Sequence, residues 1–247
     1  MARLDVRIVA LTAVALISAG QALAAKAPMK AAARTGLTGM WTVDQGYFDK
    51  PKLPLPLTPA GQAIREGRAK AVAAGDVIGN KDCAPHGMPS MMANEFALEF
   101  LETPGRVTIV NEAATMVRSI YLNKTQHADD IEPSWNGHSV GRWEGKTLVV
   151  DTSNFNDKGD VLGFIGVKSS TTHLIERYHI ENDGKTLVGE FTFEDPRYLT
   201  KPWTARATYH RLPDDAELWE YVCEVGGGWQ ERFKDDKGGT PGPTAKN

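Results

Sequence analysis

The sequence predicts a mainly all-β domain: an antiparallel, up-and-down barrel of about eight strands preceded by one helix. Three observations lead there. From Phe96 onward the chain is cut into short alternating runs by Pro104-Gly105, Glu144-Gly145 and Asp183-Gly184, the turn chemistry of antiparallel hairpins. Only one segment carries both a helix start and a helix stop. A sheet of this many strands removes its unpaired edges by closing, which leaves an interior wide enough for one small ligand. A β-sandwich is the alternative closure.

The elements follow in order. Residues 1–24 read as a secretory signal: Arg3 and Arg7 lead an apolar run from Ile8 to Gly20, followed by Ala22-Leu23-Ala24 as a small-residue cleavage site. That run is short for a bilayer span and no second one follows. The mature protein is therefore expected in the periplasm or secreted, with no membrane span. Residues 25–34 read as a flexible N-terminus, 35–233 as a single β-rich domain and 234–247 as a disordered tail of Gly, Pro and charge. "LTGMWTV" is the first strand. After a Pro-rich extended piece, Thr58 caps a helix with Pro59 at its first position, running through Ala74 to a stop at Gly75.

Two hairpins can be registered. A two-residue Glu144-Gly145 turn sets Trp143 opposite Lys146, Arg142 opposite Thr147 and His138 opposite Asp151, with Val140 on the same face as the polar residues. Trp143, Leu148 and Val150 then form the other, apolar face. The Asp183-Gly184 turn sets Arg177 opposite Glu190 and His173 opposite Glu194. Its apolar face holds Leu174, Tyr178, Ile180, Leu187, Phe191 and Phe193, interrupted by one carboxylate, Glu176. Either Glu176 pairs with an arginine from a neighbouring strand, or it is an acid or base whose pKa an apolar cavity raises.

In a meander, His138, Asp151, His173 and Glu194 gather at one rim, and the connection from Thr152 to Ser170, with Asn154 and the flexible "KGDVLGFIG", crosses it. "WTARATYHRL" and "ELWEYVCEV" form a further pair about Pro213-Asp214-Asp215. A disulfide between the two cysteines, Cys83 and Cys223, suits an oxidising compartment and would bring "CAPHGMPSMM" to the same rim; two buried thiols are the alternative.

Several chemistries compete at that rim. His138 and Asp151 suit acid/base catalysis, with Glu176 as a second candidate and Arg142 or Asn154 holding an oxygen. They equally suit a plain cross-strand ion pair. No Gly-x-Ser-x-Gly supports a serine hydrolase, and Ser139 points away from His138. Zinc would need His86, His138 and His173 with Asp151 or Glu194, and copper(I) would need His86, Met88, Met91 and Met92. Neither set has a recognised ligand spacing, so no metal and no organic cofactor is assigned. A net charge of −3, with Lys and Arg scattered, supplies no basic surface for nucleic acid. The leading function is an exported barrel holding a small, partly apolar molecule, with Arg142, Asn154, His173, Tyr178 and Glu194 as ligand contacts. The rivals are a cofactor-independent lyase, isomerase or hydrolase, and a structural or interaction module of the cell envelope.

"PLTPAGQA", "GHSVGRWEGKTLVVDTSNFND", "TKPW" and "EYVCE", in this order after a signal segment, resemble a family of exported bacterial proteins of uncharacterised function. The resemblance spans roughly residues 53 to 225 and implies export and one domain; it carries no catalytic residue. "GMW" followed by a meander is loosely similar to lipocalin-type barrels.

Overall fold

The structure, a computed structural model, describes residues 36–44, 48, 55–74, 83, 85, 87–113, 116–128, 130–157 and 168–221. All belong to the second of two compact units, residues 33–247. The signal segment, the flexible N-terminus, the "KGDVLGFIG" connection, His86, Cys223 and the C-terminal tail lie outside the described residues.

Among the described residues nine strands close into one barrel in sequence order. They are β1 (Gly39–Val43), β2 (Leu98–Thr103), β3 (Arg106–Asn111), β4 (Met116–Tyr121), β5 (His138–Glu144), β6 (Thr147–Ser153), β7 (His173–Glu181), β8 (Thr186–Glu194) and β9 (Trp203–Arg211). The helix α1 runs Pro59–Ala73. Thr58 caps it as its sequence suggests: its hydroxyl accepts from the Gly61 N–H at 3.1 Å, and it also donates to the Arg197 carbonyl at 2.8 Å, tying the helix to the segment after β8.

The meander expectation fails at one junction. Every neighbouring pair is antiparallel except β4 and β5, which run parallel with Ile120 opposite Ser139. Parallel neighbours cannot be joined by a tight turn, so residues 122–137 must travel back the length of the barrel. The expected final strand "ELWEYVCEV" is also absent over its described part. Residues 217–221 make one isolated bridge, Tyr221 to Ala113, and the Trp219 N–H donates to Glu112 at 2.8 Å. β9 pairs instead with β1, Tyr209 opposite Val43, which closes the barrel.

The second hairpin has the register read from sequence, with Arg177 opposite Glu190 and His173 opposite Glu194. The first is displaced by two residues on one strand: Glu144 pairs with Thr147, Val140 with Asp151 and His138 with Ser153. The turn is therefore Gly145-Lys146. Gly145 has φ +62, the left-handed value required at the first central position of a two-residue hairpin turn, which Glu144 would adopt only at a steric cost. A two-residue shift preserves face, so the polar and apolar sets stay as expected. Trp143 is the exception: it has the inward parity but lies at the barrel's lower end, 42% exposed.

Most of the described side chains that face the interior are apolar and buried. Trp41, Phe100, Ile109, Ile120, Leu148, Val150, Tyr178, Leu187, Phe191 and Tyr209 project inward and are fully buried. Phe100, Tyr178 and Phe191 meet edge to face at centroid distances of 5.8 and 5.9 Å, a favoured aromatic geometry. The upper end is filled by residues outside the strands. Met88, Met91 and Met92 are fully buried, held where the inward-facing Tyr209 hydroxyl donates to the Met92 carbonyl (2.7 Å) and Asn111 donates to the Met91 carbonyl (2.8 Å). Phe48 adds a ring 4.7 Å from Phe191.

Candidate functional site

Two polar constellations form on opposite faces of β5–β7. The inner one starts from alternation. Met116, Arg118 and Ile120 share one side of β4, and that side faces the interior, so Arg118 is buried at 2% exposure. Ser139, Thr152 and Glu176 face inward from β5, β6 and β7. The guanidinium of Arg118 forks onto the Glu176 carboxylate through both terminal nitrogens and donates to Ser139 Oγ (3.0 Å) and Thr152 Oγ1 (2.9 Å). The Tyr178 hydroxyl donates to the same carboxylate. Burial works against the charge on Arg118, but the Glu176 carboxylate beside it outweighs that and holds the guanidinium above its ordinary pKa. Burial, then the Glu176 charge, pushes the Tyr178 phenol well up, keeping it a neutral donor.

Glu176 thus sits with an arginine inside the barrel, and not alone in an apolar cavity. Its partner comes from β4, three strands away, and the guanidinium reaches it past Ser139 and Thr152 on the intervening β5 and β6. A buried ion pair survives only when its remaining hydrogen-bonding capacity is satisfied. Ser139, Thr152 and Tyr178 supply that satisfaction.

The outer constellation lies at the upper rim. His138, Asp151, His173 and Glu194 gather there, as strand direction requires. His138 and Asp151 do not meet directly; the crossover places His127 between them, its Nε2 2.9 Å from Asp151 Oδ1 and its Nδ1 2.9 Å from His138 Nδ1. On the other side His173 Nε2 lies 2.7 Å from the same carboxylate oxygen, and His173 Nδ1 is 3.5 Å from Glu194. Burial raises the Asp151 pKa, but hydrogen bonds from His127 and His173 prevail and leave it lowered. A carboxylate only accepts, so both histidines donate to it through Nε2. A His127 ring that carries its proton only at Nε2 accepts the Nδ1 proton of His138 at its own Nδ1.

That assignment leaves His138 Nε2 as a bare lone pair. It is buried with no hydrogen-bond partner among the described residues, as are Asn136 Oδ1 and Asn156 Oδ1. His138 itself is 7% exposed because the crossover covers it, with Tyr121 stacked at 5.5 Å. Burial, then the proximity of His127 and Lys124, lowers its pKa and keeps it neutral.

The remaining candidates are scattered. Arg142 is on the outer face near the lower end, paired with Glu144 at 2.6 Å, and does not join the rim. Asn154, at φ +59, donates to the Ile131 carbonyl at 2.9 Å and shapes the corner where the crossover ends. Cys83 is half-buried, and its expected partner Cys223 is not described. Among the described residues no group of His, Cys, Asp or Glu is arranged to hold a metal ion. Arg118 had a sequence signal, a charge on the apolar side of an alternating strand. His127 had none, since the crossover carries no periodicity.

No protein-family model matches the chain, and no curated protein matches it. Solved structures similar to it include the wild-type fluorescent protein UnaG, at 15% identity and TM-score 0.34, covering 71% of this chain and 96% of that one. Another is a secretory abundant heat soluble protein from Ramazzottius varieornatus, at 12% identity and TM-score 0.33, covering 71% and 94%. Among its described residues the protein is mainly β, a closed nine-stranded barrel with one α-helix, a fold that its own strand topology defines.

Proposed function

We propose that the protein is an exported, single-domain carrier that binds one small, partly apolar molecule in the upper interior of the barrel. The supporting observation is what fills that space: Phe48, Met88, Met91 and Met92, which belong to no strand. Strand side chains cannot leave without breaking the wall, whereas a plug of flexible methionines can be displaced and can mould to an irregular ligand. The Arg118–Glu176–Tyr178 network is the floor beneath it. A Cys83–Cys223 bridge anchors the segment that leads into the plug, in keeping with an oxidising compartment.

Titration with the uncharged dye N-phenyl-1-naphthylamine tests this. One saturable site and a melting temperature that climbs with dye concentration are expected. Absence of saturable binding, together with no small molecule retained in native mass spectra of the purified protein, overturns it. Peptide mapping without reductant tests the bridge separately.

The rim supports a second reading, because its chain of groups ends on an unpartnered base. There, once the covering crossover moves aside, His138 Nε2 takes a proton from a bound substrate, while His127 and Asp151 stabilise the resulting imidazolium. Nitrogen NMR of the histidines checks it: His138 should be protonated at Nδ1 and bare at Nε2 near neutral pH. A proton found on Nε2 instead sinks this reading.

A further inference from the structure

Lys168 is the most deeply buried lysine in the described chain, at 8% exposure, and it takes no part in either constellation. Its Nζ donates to two backbone carbonyls, Met88 at 3.3 Å and Trp135 at 3.4 Å, both long for a charged donor. It also lies 5.1 Å above the centre of the Phe155 ring. No carboxylate among the described residues pairs with it. Asp195, the buried acid that binds the adjacent residue, is already engaged, accepting from Ser169, Thr171, Thr172 and the Arg197 N–H. Burial alone, with no compensating charge, lowers the Lys168 pKa to about 8.

A buried ammonium without a counter-ion is expensive. Its place explains what could offset it. One of the carbonyls it holds belongs to Met88, a plug residue, and the other belongs to Trp135, at the end of the crossover. Lys168 therefore ties the plug to the barrel's upper corner, at the mouth of the space the proposed carrier function uses. Movement of the plug would remove the Met88 carbonyl and leave the cation short of acceptors.

We infer that Lys168 is the recognition site for an anionic head group, so that the ligand is an amphipathic monoanion whose apolar part enters the barrel while its charge takes the place of the Met88 carbonyl. The inference rests on the carrier reading and narrows its ligand class. Ligand entry and plug release become one event: the anion supplies the ammonium with a counter-ion that the described residues do not provide, and the tie to Met88 is given up in exchange. A neutral molecule of the same shape would have to open the plug without that compensation.

The test compares two dyes that differ by a sulfonate, 8-anilinonaphthalene-1-sulfonate and N-phenyl-1-naphthylamine, on the full chain and on Lys168→Met. The wild type should bind the sulfonate about tenfold more tightly. Lys168→Met should lose that preference while binding the uncharged dye at least as tightly as the wild type, since the tie that holds the plug is gone, and that binding also shows that the variant is folded. If the wild type binds both dyes equally, or the preference survives in Lys168→Met, the anion site is wrong and the carrier reading stands. If neither dye binds the wild type and its native mass spectra show no retained small molecule, both fall. A second measurement needs no variant: the preference should shrink as pH rises and the ammonium loses its proton, and a ratio unchanged between pH 7 and about pH 10 overturns the inference.

Discussion

At the scale of single residues, burial separates side chains that look alike in sequence. Lys168 is buried and without a carboxylate partner among the described residues, and the consequence has a sign. Its folded-state pKa of about 8 lies below the ordinary 10.5, so the unfolded chain binds the extra proton and stability rises with pH between those two values. Lys168→Met should be more stable than wild type below pH 8, by up to about 3 kcal/mol, and the advantage should vanish by about pH 10.5. Urea denaturation across that range checks it. Asp151 has the same pH slope but the opposite effect on the fold, because its charged form is stabilising. Its pKa is lowered, so its contribution is present above the ordinary carboxylate range and is lost as pH falls through the folded value. Its side chain is 36% exposed, and solvent screening keeps the effect to about 1 kcal/mol or less. Acid unfolding of Asp151→Asn against wild type measures it, and a difference that grows at low pH would contradict the assignment.

At the scale of elements, glycines and a crossover decide the geometry. Gly145 occupies the left-handed position of the β5–β6 turn, where an added Cβ would meet nothing within 4 Å. The cost of substitution there is conformational only. Gly145→Val should lose about 1–2 kcal/mol and Gly145→Asn much less, because asparagine tolerates that region. Gly137 has φ +67, but a Cβ there would lie 2.6 Å from the Ser153 carbonyl oxygen. Gly137→Ala should therefore cost more than Gly145→Ala, and equal denaturation midpoints would refute the contrast. The crossover has its own consequence: by carrying His127 onto Asp151, it turns two separated strand residues into a continuous chain.

At the scale of the whole molecule, the Arg118–Glu176 pair ties β4 to β7 through the interior. Removing one partner leaves the other charge buried and unpaired. Arg118→Met or Glu176→Leu alone should each cost about 3–5 kcal/mol, whereas the double variant should recover most of the loss. Additive losses in the double-mutant cycle would show that the two groups do not depend on each other.

The face of each strand was legible along the chain because a period of two is a local property. That is why the hairpin faces, the capped helix and the isolated inward carboxylate Glu176 could be read from residues alone. The turn at Gly145-Lys146 was misread by one position, yet the faces survived, since the resulting shift along the partner strand was even. Closure decided the rest. It set β1 against β9, brought Arg118 across to Glu176, ran β5 parallel to β4 and so forced residues 122–137 over the outer wall with His127. Sequence determined which side of each strand is apolar, whereas only the tertiary structure decided which distant strands face one another, because that depends on the order and direction in which the barrel closes.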